Sequence, residues 1–254
     1  MNSSIKTTIR RVANRFGFEI TRIPKPGSSM ANEYETVYPA ATYSPWNKDL
    51  LFQAMFASIE KFTMVDKYRC FELWKLVEQI AKLKTGNIIE IGVWRGGTGA
   101  LIAKQARNCG IKDKVFLCDT FAGVVKAGAR DSRYKGGEHA DTSCQAVKEL
   151  ILTRMNLDNV EILEGIFPEQ TGHRVEGMQF RLCHIDVDVY QSAKDITDWI
   201  WDKMVPGGII VYDDYGFYGC DGITQYVEEQ MIRKDRLVIH NLNGHAIILK
   251  TSTP

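Results

Sequence analysis

The sequence carries almost no net charge: 32 Lys and Arg against 31 Asp and Glu leave +1 at neutral pH. A duplex nucleic-acid partner is therefore not expected, because such binders carry a large basic excess. No run reaches the roughly 18 apolar residues of a spanning helix. Residues 1–23 also lack the unbroken apolar stretch of a secretory signal. Six cysteines are present, Cys70, Cys109, Cys118, Cys144, Cys183 and Cys220, and none falls in a CxxC pair. A zinc knuckle is thus not expected. Cys118 and Cys183 lie in apolar runs and read as buried thiols, which suits a reducing, cytoplasmic compartment. There is no internal repeat and no low-complexity tract.

What is present is ordinary for a soluble globular chain. Of 254 residues, 44% are hydrophobic and 25% charged, enough apolar side chain for a sizeable core and too much for global disorder. Ile5, Ile9, Val12 and Phe16 recur at helical spacing among Lys6, Arg10, Arg11 and Arg15. Pro24, Pro26 and Gly27 break that pattern, and the aromatic stretch 28–46 reads as loop or lid. We expect a basic N-terminal segment, 1–47, preceding a catalytic domain, 48–254. The basic helix and the aromatics suit a homo-oligomer.

From 48 to 84 two apolar faces predict two helices. Beyond them, short β runs at 87–91, 115–119, 160–163, 180–186 and 209–213 alternate with helical segments near 98–109, 142–154, 191–203 and 221–234. Alternation of this kind predicts a parallel sheet with crossover helices. The end departs from it: 236–240 and 245–250 are strand-like and flank Asn243-Gly244, a tight-hairpin signal. The expected fold is an α/β seven-stranded sheet, mostly parallel, closed by an antiparallel hairpin.

The first βα turn reads Glu90-Ile91-Gly92-Val93-Trp94-Arg95-Gly96-Gly97. A dinucleotide fingerprint, GxGxxG, needs its second glycine so that backbone can approach a pyrophosphate. Trp94 stands there, which argues against NAD. Glu90 at the strand end suits a cation, and S-adenosylmethionine offers an ammonium and a sulfonium without phosphate. Asp119, ending the second strand, can take both ribose hydroxyls. Phe121 can pack on adenine, and Gly165-Ile166-Phe167-Pro168 can line its pocket.

Asp186 and Asp188 end the fourth strand in His184-Ile185-Asp186-Val187-Asp188-Val189-Tyr190. Asp213 and Asp214 end the fifth. Ligands in open parallel sheets bind at the carboxyl ends of strands. Asp186, Asp213 and Asp214 should therefore converge, and three carboxylates repel unless a cation sits among them. All-oxygen ligation suits Mg²⁺ or Mn²⁺, which could orient and acidify a substrate hydroxyl. The base that removes its proton is left among Asp186, Asp188 and the loop residue His139.

These blocks, together with Asp119-Thr120-Phe121-Ala122-Gly123 and Pro206-Gly207-Gly208, resemble the macrocin O-methyltransferase family from about Tyr34 onward. The resemblance implies a class I methyltransferase fold, S-adenosylmethionine and Mg²⁺. It implies metal ligation by Asp186, Asp213 and Asp214. It implies cofactor contacts at Thr63, Met64, Glu90, Gly92, Val93, Asp119, Phe121, Ser143, Ile166 and Phe167. The implied acceptor is a small hydroxylated molecule, a sugar or glycosylated natural product. Two departures stand out. Val125 replaces a family proline, so the 124–140 loop is expected to recognise a different acceptor. Val189 stands where related catechol methyltransferases carry a lysine, which excludes that base. An NAD-linked oxidoreductase and a non-catalytic cofactor- or glycan-binding homologue are the competing readings. Trp94 and the hairpin speak against the first, and the retained carboxylates against the second.

Overall fold

The computed structural model describes Tyr34, Val37 and residues 41–251. The expected basic helix and most of the 28–46 stretch, hence most of the 1–47 segment, lie outside the described residues. Two helices come first: α1 (Leu50–Ile59), capped by the Asp49 carboxylate on the Phe52 N–H, and α2 (Lys67–Ile80), capped by Asp66. An Asp at the N-cap satisfies donors that the first turn leaves open. Seven strands follow: β1 (Asn87–Ile91), β2 (Val115–Asp119), β3 (Val160–Glu164), β4 (Phe180–Ile185), β5 (Met204–Tyr212), β6 (Arg236–His240) and β7 (Ala246–Lys250). Between them run α3 (Gly97–Asn108), α4 (Cys144–Lys148), α5 (Tyr190–Ile200) and α6 (Asp221–Gln230).

The strand order is β3-β2-β1-β4-β5-β7-β6. β1 to β5 are parallel, and β7 pairs antiparallel with both β5 and β6. The expected fold is therefore present. Several boundaries differ, most by a residue or two, and the helix expected at 221–234 ends at Gln230. β5 starts at Met204 rather than 209, so Pro206-Gly207-Gly208 lies within the strand. The expected 142–154 helix is α4 followed by a π-helical turn, Glu149–Arg154. The hairpin connection spans 241–245 rather than two residues, with the Asn243 carboxamide oxygen accepting the His245 N–H at 3.0 Å.

Side chains of the strands alternate between two cores, as the period of two requires. Ile88, Leu117, Leu182 and Val211 face α1, α2 and α3, packing with Phe52, Leu73, Trp74 and Leu101. Ile89, Phe116, Cys183, Ile210 and Tyr212 face α5 and α6, packing with Ile196, Ile200, Tyr226 and Val227. Fully burying one such side chain contributes roughly 1.5–3 kcal/mol, so each face anchors its helices independently. Burial of the strands on both faces also explains their near-continuous apolar runs. Among the described residues no helix is long and apolar enough to cross a membrane.

The chain winds outward in opposite directions from β1 and β4. That switch point opens a crevice at the carboxyl ends of the strands. The ladder continues one residue past each strand there. The Asp186 N–H donates to the Ile91 carbonyl at 2.9 Å, and the Asp213 N–H to the Ile185 carbonyl at 3.0 Å. Both acids are thus fixed by backbone at the crevice floor.

Candidate active site

The crevice is a cleft of about 340 Å³. One end is built by the turn after β1. Gly92 has φ +89°, and a Cβ there would lie 1.6 Å from the Asp186 carbonyl oxygen, so only glycine fits. Trp94 takes the conformation that the missing glycine would have taken, φ +46°. It is held by its surroundings: its indole N–H donates to Asp141 at 2.8 Å, the Arg95 guanidinium lies 4.3 Å from its ring, and its carbonyl accepts from Thr142. Trp94 therefore ties the long 120–143 loop to the cleft rim. Asp119 accepts three backbone N–H bonds, from Val93 at 2.6 Å, Trp94 at 2.8 Å and Phe121 at 2.7 Å. Each carboxylate oxygen has two lone pairs; Oδ2 takes Val93 and Trp94 and Oδ1 takes Phe121, so one acceptor position remains, on Oδ1, for a ligand hydroxyl.

The other end is acidic. Asp186, Asp213 and Asp214 each offer an oxygen, and these atoms lie within 4.8 Å of one another. Asp188 joins Asp214 and Cys220 in a neighbouring group of the same spacing. Burial, then repulsion from the other carboxylates, pushes Asp186 and Asp214 well above the ordinary carboxylate range. Asp188 is also raised by burial, although the Tyr134 hydroxyl and the nearby His139 favour its charged form. Asp188 and His139 both have positive φ, +65° and +63°. Strain of this kind in non-glycine residues gathers at functional sites.

Asp213 differs from its neighbours. Burial opposes its charge, but the imidazoles of His184 and His245, the second in hydrogen-bond contact, and the charge of Arg69 outweigh that and hold it well below the ordinary range. His245 Nε2 lies 2.8 Å from Asp213 Oδ1, and its Nδ1 lies 2.6 Å from Glu72. Glu72 in turn accepts from Asn241 and Asn243 of the hairpin connection. Arg69 pairs with the second Asp213 oxygen. His184 Nε2 stands 3.9 Å from Asp213, and its Nδ1 lies 2.8 Å from Glu90. For His184, burial works against the charged ring, yet the adjacent Asp213 and Glu90 carboxylates, Glu90 in hydrogen-bond contact, push its pKa up to about 10.

The sequence of the chain matches the Macrocin-O-methyltransferase (TylF) family over residues 35–245. The chain belongs to the macrocin-O-methyltransferase family. It is 28% identical, over 65% of its length and 67% of the relative's, to the 8-demethyl-8-(2,3-dimethoxy-alpha-L-rhamnosyl)-tetracenomycin-C 4'-O-methyltransferase of Streptomyces olivaceus. It is 24% identical, over 68% of its length and 75% of the relative's, to the mycinamicin III 3''-O-methyltransferase of Micromonospora griseorubida. Among solved structures, the O-methyltransferase NovP aligns with TM-score 0.64 at 22% identity, covering 75% of this chain and 83% of that one. The calicheamicin methyltransferase CalS11 aligns with TM-score 0.62 at 15% identity, covering 83% and 94%. This member of the macrocin-O-methyltransferase family is an S-adenosylmethionine-dependent O-methyltransferase with a class I fold.

Most residues singled out in the sequence meet in the one cleft. Met64, Gly92, Asp119, Ile166, Phe167, His139, Asp186, Asp188, Asp213 and Asp214 all line it. Thr63, Glu90, Val93, Phe121 and Ser143 do not. Thr63 accepts the Val65 N–H, and Ser143 caps α4. Val93 is buried and reaches Asp119 through its backbone. Phe121 packs against the core beside α3. Glu90 is fully buried and faces His184, its register partner on β4, instead of an incoming cation.

Sequence reading missed Arg69, Glu72 and His245, and the cleft-lining Arg133, Tyr134 and Phe217. Arg69 left one signal. It follows Asp66 by three residues and interrupts an otherwise apolar helical stripe, Cys70, Phe71, Leu73 and Trp74, at a place where charge has to be paired.

Proposed function

We propose that this O-methyltransferase places a methyl group on a sugar hydroxyl and uses Mg²⁺ or Mn²⁺ at Asp186, Asp213 and Asp214. The observation that carries the reading is the approach of those three carboxylates to within 4.8 Å in the cleft that Gly92 and Asp119 also line. The donor set is all oxygen, as a hard divalent ion requires. Asp214 Oδ2 is buried without a hydrogen-bond partner, and a buried polar atom left so asks for a ligand. Arg69, His184 and His245 all gather on Asp213, so among the described residues Asp186, Asp188 and Asp214 have no basic side chain in an ion pair. The residues therefore fit the ion.

When bound, such an ion supplies Lewis acidity that lowers the pKa of an acceptor hydroxyl. The remaining tasks fall to the chain. Asp119 holds a ribose hydroxyl, and the turn at Gly92 lets the cofactor lie against backbone. Ile166 and Phe167 supply an apolar wall for adenine. These contacts would orient the methyl donor toward the acceptor hydroxyl, and orientation accounts for much of the rate. Asp188 is the proposed base, since Asp186 is engaged with the ion and burial raises the basicity of Asp188. As the O–CH₃ bond forms, the S–CH₃ bond breaks and its electron pair stays on sulfur. The hydroxyl proton passes to Asp188, with His139 and Tyr134 around it. The sugar acceptor is supported by relatives named for rhamnosyl-tetracenomycin and mycinamicin III methylation.

The test is methyl transfer from isotopically labelled S-adenosylmethionine to a panel of nucleotide sugars and glycosides, with Mg²⁺ or with EDTA. Turnover with Mg²⁺ only, and a loss of about 10²–10⁴-fold in Asp188→Asn, supports the reading. Equal turnover in EDTA removes the ion. Full activity in the Asn variant removes the base.

A further inference from the structure

We infer that Arg69 is the resident counter-cation of the carboxylate cluster and that it sets how weakly the cluster holds a divalent ion. This deepens the metal reading above and rests on it. Arg69 is 7% exposed, lies on α2 and lines the cleft. Its Nε donates to Asp66 at 2.8 Å, its Nη1 pairs with Asp213 Oδ2, and its guanidinium lies 4.7 Å from the Phe217 ring. An arginine held on three sides is a fixed charge rather than a mobile one.

The other oxygen of Asp213 faces His245. Both oxygens of this carboxylate therefore have a donor before any ion arrives. Each keeps one lone pair, so the ion shares Asp213 with Arg69. Asp186 and Asp214 have no comparable cation among their hydrogen bonds. Two consequences follow from Coulomb's law. Without the ion, Arg69 offsets part of the repulsion among Asp186, Asp213 and Asp214, so the cleft persists. With the ion, Arg69 repels it across a shared carboxylate, so the ion stays exchangeable. Arg69 is a positioning residue, because it acts through Asp213 and on the charge of the site.

The experiment is Mn²⁺ binding to the full chain, followed by electron paramagnetic resonance, for the natural sequence, Arg69→Met and Arg69→Lys. Methionine keeps bulk beneath Phe217 and removes the charge; lysine keeps the charge. Circular dichroism confirms that each variant is folded. The inference expects Arg69→Met to bind Mn²⁺ at least about tenfold more tightly, with Arg69→Lys within about threefold of the natural protein. It also expects the melting temperature of Arg69→Met to fall more in EDTA than with Mn²⁺. A purely structural role would weaken binding in both variants. Equal or weaker Mn²⁺ binding by folded Arg69→Met overturns the inference and leaves the metal reading standing. Should Arg69→Met not fold, lysine decides: a loss of Mn²⁺ affinity beyond about tenfold, with the charge retained, overturns it as well. No Mn²⁺ bound by the natural protein overturns both.

Discussion

The two ends of the cleft carry the same functional group in opposite conditions. At one end three backbone N–H groups fix the Asp119 carboxylate and leave one acceptor position open. At the other, Asp186 and Asp214 crowd together, and Asp214 Oδ2 has no partner. The satisfied acid is preorganised for a neutral ligand with hydroxyls. The frustrated acids are stable partners only for a positive one. The two ends differ in how fully the surrounding chain already satisfies its carboxylates, and on the proposed reading that difference parts a ribose-binding carboxylate from ion-binding ones.

If the two ends are separable, single substitutions should part them. Asp214→Asn is expected to lower turnover by at least about 10³-fold, yet S-adenosylhomocysteine should still raise the melting temperature as before. Asp119→Ala should do the reverse. It leaves three backbone donors without their acceptor, at about 1–3 kcal/mol for each one left unsatisfied. Affinity for S-adenosylhomocysteine should fall by at least about 100-fold, with Mn²⁺ binding nearly intact. Calorimetry on both variants with both ligands checks this. Loss of both ligands in either variant would mean that the ends form one site.

The pH dependence sharpens the contrast. Burial and mutual repulsion raise Asp186 and Asp214 in the folded state. The folded chain therefore binds more protons there than the unfolded chain, and stability falls as pH rises from the ordinary carboxylate range through the raised values. Asp213 is depressed, so its contribution is present above that range and is lost only in strong acid. In EDTA the melting temperature should rise as pH falls toward the ordinary carboxylate range. With saturating Mg²⁺ the rise should shrink to the part that His184 contributes above pH 6.5, because ion and protons compete for the same carboxylate oxygens. A flat profile in EDTA would show that the acids are not crowded in solution.

The smallest effect is expected at the hairpin. Gly244 has φ +102°, and a Cβ there would lie 2.2 Å from the Phe217 ring. Gly244→Ala should push Phe217 out of the cleft wall. It should raise KM for the acceptor severalfold, by an amount worth about 1 kcal/mol, and leave affinity for S-adenosylhomocysteine unchanged. Unchanged KM would detach the hairpin from acceptor binding.

Much of this was legible in the residues. Apolar patterning located the strands; β1, β2, β4 and the second half of β5 are buried on both faces and had to be apolar, whereas the exposed edge strand β6 was legible from the Asn243-Gly244 turn that follows it. Gly92, Asp119, Asp186, Asp213 and Asp214 were legible because the ends of parallel strands point into one crevice whatever the loops do. Glu90 was misjudged for a related reason. Its place at a strand end suggested the cleft, but side-chain parity puts it on the Ile88 face, across from His184. Arg69, Glu72 and His245 escaped because they come from α2 and the hairpin, elements whose packing on β5 no local pattern encodes. Trp94 was legible as the residue in place of the second glycine of a dinucleotide turn. That an indole could hold a glycine's conformation depends on Asp141, Arg95 and Thr142, which only the folded loop assembles.

The contact between Gly92 and the Asp186 carbonyl has a consequence for anyone redesigning this enzyme. The proposed cofactor loop and the proposed ion ligand touch there backbone to backbone, with no side chain that could be trimmed to make room. On that reading a library diversified at position 92 is expected to lose donor and ion together. Variation in acceptor choice has to come from the 124–140 and 215–220 loops, which can change length and character without disturbing that seam.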